Sequence, residues 1–464
     1  MLKAMKAAPA PIWLLVASFL CPTELSLYLA GLRLPPHRVA LLILLPIALF
    51  RMLSRRDPRL RSYDIVFLLY NVWTIAVFMH HQGQGEGLQF GGSLALESFA
   101  SYVIARVYVR DVTQFLGSLG VLVAAVGITG LIALPEALLG VHYVHDILRA
   151  VTGYEHPIGH ETRLFLTRAY GTFDHPIHLG TFTASALAMI WYATPGRRSR
   201  RRRTALLIGA TLLAVSSAPI LCLALQGMLI GWDRVTRGVR TRVGFTLAFF
   251  VTLYIMASIV GTRSPLTIIA TGFTLDSWTG YYRTVIWEWG LMSVWAHPWL
   301  GIGLADWERP DWMISSTVDA FWLVVTMRAG IPAFLLLSLA IALLVRAVVV
   351  GSKRQPVEVR RMARGWIMSL IALSLIACTV HLWNVPFAHF FFFLGLSGWI
   401  ADRRRERKSK AQPVAPGLAR SGPLVPPQGA YGRPPLPSPT AAVWPVAPAA
   451  AGSPYAYPAY PARR

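Results

Sequence analysis

DAFWLVVTMRAGIPAFLLLSLAIALLVRAVVV, from Asp319 to Val350, decides the fold class. A helix that crosses a bilayer takes ~20 residues, and this apolar segment is long enough. A cluster of cations follows it at Lys353, Arg354, Arg360, Arg361 and Arg364. Under the positive-inside rule that cluster is cytoplasmic, so the residues before Asp319 lie outside. Working outward, apolar segments near 11–30, 37–53, 63–80, 93–109, 115–135 and 176–194 read as spans one to six. Those near 204–216, 217–232, 243–261, 319–350, 365–384 and 386–401 read as seven to twelve. Hydrophobic residues make up 55% of the chain and charged residues 14%, with a mean hydropathy of +0.51. That is too little charge to cover a soluble domain of 464 residues. The expectation is an all-α, polytopic membrane helical bundle over 1–401, with about twelve transmembrane helices.

The net charge of +23 invites a nucleic-acid partner, but its distribution excludes one. The other basic clusters are Arg55–Arg61, Arg197–Arg203, the group Arg234, Arg237, Arg240 and Arg242, and the run Arg403–Lys410. Each is a short stretch beside apolar segments, as cytoplasmic loops facing anionic membrane lipid would be. All five clusters fall on one side if Thr204–Trp232, interrupted at Pro219, forms a pair of short helices. Both termini are then cytoplasmic, and two long periplasmic loops remain, about 136–175 and 262–318. Lys3 and Lys6 precede an apolar stretch with no convincing cleavage site, which reads as a retained first span. Cys21, Cys222 and Cys378 show no paired spacing, so no disulfide framework is expected. Residues 402–464 are rich in Pro, Ala and Tyr and cannot bury a core; they read as a disordered cytoplasmic tail.

Three patches with chemical potential fall outside in this topology. They are RLFLTRAYGTFDHPIHLG from Arg163, the segment YYRTVIWEWGLMSVWAHPWLGIGLADW from Tyr281 to Trp307, and VDAFWLVVTMRAGIP from Val318. Together, GTFDHPIHLG, HPWLGIGLADW and DAFWLVVTMRAGIP resemble the signatures of the O-antigen ligase and polysaccharide polymerase family, in the same order. The resemblance implies a C-type glycosyltransferase fold in the bacterial inner membrane. It implies a polyprenyl-diphosphate-linked glycan donor at the periplasmic face, and a glycan or lipid A core acceptor. The reaction would invert the anomeric centre without a metal or other cofactor, in exopolysaccharide or lipopolysaccharide biosynthesis.

The residues can be read against that chemistry directly. A diphosphate leaving group needs cations where charge builds, and arginine binds phosphate through two parallel bonds. Arg283 is the first candidate, at the family's loop-arginine position, and Arg168 the second; Arg163 and Arg263 are weaker. The attacking hydroxyl needs a base. Asp319, eleven residues before Gly330, stands where the family has histidine. An aspartate before an apolar helix is also an ordinary N-cap. A further departure is Ser216-Ser217-Ala218-Pro219, where many members carry Ser-Arg. His297 and His175 are alternative bases, each before a proline. His156 with His160 and His175 with His178 have metal-like spacing, but each pair encloses a proline and lacks an acid, so no metal is expected. Trp287, Trp289, Trp295, Trp299, Trp307 and Trp312 crowd one loop, and Trp287 and Trp307 are candidates to stack on sugar rings.

Two other classes stay open. A transporter or flippase for a lipid-linked substrate would need charges along an intramembrane path, and Glu97 with Arg106 are the main ones, unless they form a structural pair. An inactive scaffold would use the tail to dock polysaccharide assembly proteins.

Overall fold

The computed structural model describes residues 5–29, 31–55, 58–154, 158–239, 277–313 and 315–402. Expected span nine, His156, Arg240, Arg242, Arg263 and the tail beyond Asp402 lie outside them. An apolar chain must satisfy its peptide groups internally where water is excluded, and the described residues are mostly helical. The helices are α1 (Ala10–Phe19), α2 (Pro36–Arg55), α3 (Ser62–Ala95), α4 (Ser101–Tyr108), α5 (Val112–Leu139), α6 (Tyr143–Thr152) and α7 (Pro176–Ala184). They continue with α8 (Leu187–Ala193), α9 (Arg197–Leu212), α10 (Ser217–Val235), α11 (Ser277–Ala296), α12 (Phe321–Ser352), α13 (Val357–Ile376) and α14 (Val385–Gly395). Two antiparallel hairpins interrupt them: Leu27–Leu29 (β1) with Leu32–Leu34 (β2), and Thr162–Arg163 (β3) with Leu166–Thr167 (β4).

Six helical segments among the described residues are long and apolar enough to cross a membrane: Pro36–Ser54, Ser62–Tyr108, Val112–Leu139, Ser217–Gly238, Phe321–Ser352 and Val385–Asp402. The chain has the build of an all-α membrane protein. Other expected spans are shorter or more charged. α1 has only 10 residues. Expected span six is divided at Ser185–Ala186 into α7 and α8. α9 opens on arginines, and α13 carries Arg360, Arg361 and Arg364 near its start.

The core sits around α14. Its sequence, VPFAHFFFFLG, is apolar apart from His389, which bonds Ser185 at 2.9 Å, and every residue is buried, as expected of an interior helix. The surrounding helices expose apolar stripes at helical spacing: Ile43, Ile47 and Phe50 on α2, and Leu131, Leu134 and Leu138 on α5. Apolar stripes around an apolar centre suit lipid as the solvent.

Two glycines turn long helices. Gly83 in α3 has φ 77. Beyond it the chain doubles back, and a Cβ on Gly87 would fall 2.4 Å from the Cα of Met79. Expected spans three and four are the two arms. Gly330 in α12 has φ 80. The rings of Trp322 and Phe334 lie 6.1 Å apart across it, whereas a straight helix would set those residues about 18 Å apart.

The break at Gly330 explains the glycines of HPWLGIGLADW. Pro332 has no N–H, so the Arg328 carbonyl loses its helical donor. Gly303 N–H donates to it at 3.1 Å, Ile302 N–H donates to the Met327 carbonyl at 2.8 Å, and Ile331 N–H donates to the Pro298 carbonyl at 2.8 Å. The Arg328 guanidinium closes the joint on the carbonyls of Gly303 and Ala305, both at 2.8 Å. The two segments are one interlocked unit. Gly330→Ala would place a Cβ 2.0 Å from the Trp299 carbonyl oxygen, at a φ only glycine adopts freely. It is expected to cost about 3 kcal/mol or more. A thermal scan of the purified protein in detergent checks this; an unchanged midpoint would contradict it.

The buried charges Glu97 and Arg106 are both paired, though not with each other. Glu97 lies in the π-helical turn Leu96–Ala100 and Arg106 in α4. Glu97 accepts from His37 at 3.0 Å and from Arg38 at 2.7 Å. Arg106, 1% exposed, donates to Asp402 at 2.6 and 3.2 Å and lies 3.4 Å from Asp64. These pairs tie α2, α3 and α4 to one another and to Asp402.

Candidate functional site

A cavity of about 190 Å³ gathers residues from six parts of the chain. The β3–β4 hairpin contributes Arg163, with Glu161 just before it and Arg168 just after. His175 and Ile177 come from the start of α7, Ser216 and Ser217 from the start of α10, and Arg283 from α11. Asp319 comes from the loop before α12, and Thr379, Val380, His381 and Trp383 from the loop between α13 and α14.

The hairpin is pinned by its backbone. Arg168 N–H donates to the Glu161 carbonyl at 3.0 Å and Ala169 N–H to the Leu213 carbonyl at 3.1 Å. The buried Glu136 carboxylate of α5 accepts the next two amides, Tyr170 at 2.9 Å and Gly171 at 2.8 Å. Gly171, with φ 63, must be glycine, since a Cβ would lie 2.8 Å from the Thr129 hydroxyl. The Gly-Thr-Phe signature is therefore a clamp that sets Arg168 at the cavity. Asp174 clamps the next turn, accepting from Asn384 at 2.6 Å and from the Thr23 hydroxyl. His175 caps α7, its Nδ1 accepting from Ile177 N–H at 3.1 Å.

Cations outnumber acids in the lining, three arginines against Glu161 and Asp319. Arg163, Arg168 and Arg283 share the cavity, and the positive ends of α7 and α10 open onto it. Arg168 binds Glu161 at 2.6 Å, yet its buried Nε has no hydrogen-bond partner. Burial alone would raise the Glu161 carboxyl, but the Arg168 bond and charge, with Arg163, hold it below its usual range. Arg283 is 7% exposed, and its buried Nε also lacks a partner. Burial lowers the Arg283 pKa, and the charge of Asp319 opposes this. Asp319 is raised above the usual carboxylate range by burial, with Arg283 holding it back in part. The two carboxylate-and-guanidinium neighbours sense each other without a direct ion pair among the described residues.

Asp319 is not a cap. α12 begins at Phe321, its N-cap is Ala320, and no side chain caps it. The apolar helix thus starts after Asp319, which lies in the preceding loop.

The cavity thus brings together Arg168, His175, Arg283 and Asp319, and leaves out three expected residues. His297 is exposed just past the far end of α11, about 21 Å along the axis from Arg283. Trp287 is spent on structure: its indole N–H donates to the Cys378 carbonyl at 2.8 Å. Trp307 is 4% exposed in a local apolar core and donates to the Ser316 carbonyl at 2.9 Å. The aromatic residue at the cavity is instead Trp383, with His381 beside it. Both fall inside the apolar segment expected as span eleven, whose helix ends at Ile376. Ser216 and Ser217, noted for lacking an arginine, do line the cavity.

A second, larger cavity of about 650 Å³ adjoins this one, sharing His381 and Trp383. Its walls are largely apolar, including Tyr70, Phe78, Phe90, Phe321 and Phe387, with Arg33, Arg38 and Arg328 among the polar residues.

No protein-family model and no curated protein matches the chain.

Proposed function

We propose that the chain is a membrane glycosyltransferase of the O-antigen ligase and polysaccharide polymerase type. It polymerises or ligates polyprenyl-diphosphate-linked oligosaccharide at the periplasmic face of the bacterial inner membrane. About twelve spans, a C-type fold and cytoplasmic termini belong to this reading. The observation that carries it is Arg283: a buried guanidinium with an unpartnered Nε, in one cavity with Arg163, Arg168 and the carboxylate of Asp319.

The diphosphate of the donor is held by the arginines and by the starts of α7 and α10. The acceptor enters from the larger cavity, across the shared wall of His381 and Trp383. Asp319 takes the proton of the acceptor hydroxyl as its oxygen attacks the anomeric carbon. The glycosidic bond to the diphosphate oxygen breaks, and that oxygen keeps the electron pair, stabilised by Arg283. Attack from the face opposite the leaving group inverts the anomeric centre. Burial favours Asp319 as a base, since its raised pKa makes it stronger than a free carboxylate. Arg163 and Arg168 supply from the hairpin the positive charge that Ser217 does not.

Deleting the gene tests the reading. Surface glycan is expected to shorten to single repeats if the protein polymerises, or to fail to reach lipid A if it ligates. Unchanged surface glycan would overturn the proposal.

A further inference from the structure

A second arginine pocket lies at the other end of α10. Its cavity, about 170 Å³, is lined by Arg200 of α9, Arg234 of α10, Arg237 just after it and Arg361 of α13, with Trp191 and Tyr192 of α8. Three basic clusters far apart in sequence each place cations here. Like charges gather at one point only at a cost, unless an anion joins them. A neighbouring carboxylate, Asp233, is already engaged by Tyr192 at 2.6 Å and by Arg364 at 3.0 Å. Among the described residues none of the four lining arginines forms an ion pair. The Arg200 guanidinium stacks on Trp191 at 4.7 Å, and its buried Nε has no hydrogen-bond partner.

Position points to the ligand. Ser217 and Arg234, at the two cavities, are about 26 Å apart along α10. That is close to the ~30 Å hydrocarbon thickness of a bilayer. A pocket at this end of a spanning α10 sits at the depth of lipid headgroups. We propose that it is a binding site for a phosphate group, independent of the transfer chemistry. Arginine forks match phosphate oxygens, and anionic phospholipid of the cytoplasmic leaflet supplies them at high local concentration. Soluble phosphate carries the same oxygens.

The test uses the full chain in detergent, read by native mass spectrometry during titration with phosphatidylglycerol or phosphatidylcholine. Wild type should retain phosphatidylglycerol in preference. Arg234→Gln with Arg361→Gln should weaken that retention about tenfold, the effect of one charge-assisted bond. Arg198→Gln with Arg354→Gln removes equal charge from exposed positions outside the cavity and should change it little. A parallel titration with inorganic phosphate identifies the source: phosphate that displaces the lipid marks a soluble ligand, and its failure to do so marks the headgroup. Equal loss in both double variants, or no preference in wild type, would overturn the site. Should the cavity variant not fold, phenylglyoxal footprinting of wild type replaces it. Anion protection confined to Arg200, Arg234, Arg237 and Arg361 supports the site; uniform protection across the basic clusters overturns it.

Discussion

Arg283→Ala is expected to slow glycan transfer by about a hundred- to a thousandfold, the usual loss when one preorganised donor is removed from a site of developing charge. The guanidinium sits on α11, between the packed residues of its own turn, and burial holds it at the cavity without a neutralising bond. Burial keeps it out of bulk water before substrate arrives, so few solvent molecules need reorganise when charge appears on the diphosphate. Arg283→Lys should recover only part of the rate, since an ammonium keeps the charge but not the paired bonds. The check is kcat and kcat/KM with a lipid-linked donor. Equal falls in both place the interaction in the transition state; a rise in KM alone would make Arg283 a binding residue only. A change below about threefold, less than one charge-assisted hydrogen bond contributes, would remove Arg283 from the mechanism.

Asp319→Asn is expected to cost about 10²- to 10⁴-fold, the range for loss of a general base. The pH profile separates this from structural damage. Burial raises the Asp319 carboxyl, and Arg283 only partly offsets it. The base works ionised, so activity should fall as pH drops through a pKa above the usual carboxylate range. The linkage has the opposite sign from that of a salt-bridged acid. A carboxyl whose pKa is raised by folding makes the ionised native state less stable at neutral pH, and protonation relieves this. The amide of the Asp319→Asn variant carries no charge, so that variant should be at least as stable as wild type while nearly inactive. A variant that loses stability and activity together would mark Asp319 as structural.

Much of this architecture is legible in the chain, and the illegible parts have physical causes. α12 announces itself because its apolar run is long enough to cross a bilayer, and α14 because it is apolar on nearly every side. Arg283 and Asp319 are legible only through the family resemblance, which implies a loop arginine at the first position and sets the second where the family has histidine. Which face a tryptophan presents is not legible: Trp307 packs inward and Trp383 reaches the cavity, though Trp307 stands in the denser aromatic segment. His297 follows Arg283 closely in sequence, but a straight helix carries it away. Glu97 and Arg106 look like partners, but the fold gives Glu97 to His37 and Arg38, and Arg106 to Asp402. Ser217 looks like a missing arginine, and only the fold shows that the hairpin brings Arg163 and Arg168 to the same cavity. Short helices defeat hydropathy as well, since α7 and α8 together resemble one span.

The most direct measurement follows free polyprenyl diphosphate and product glycan together, using purified protein, a lipid-linked oligosaccharide and an acceptor. Lipid diphosphate should appear in step with each sugar chain transferred, with inversion at the new linkage, and Arg283→Ala should suppress both. Neither product forming with a lipid-linked or a lipid A acceptor, or both forming equally well without Arg283, would contradict a transferase built around this guanidinium.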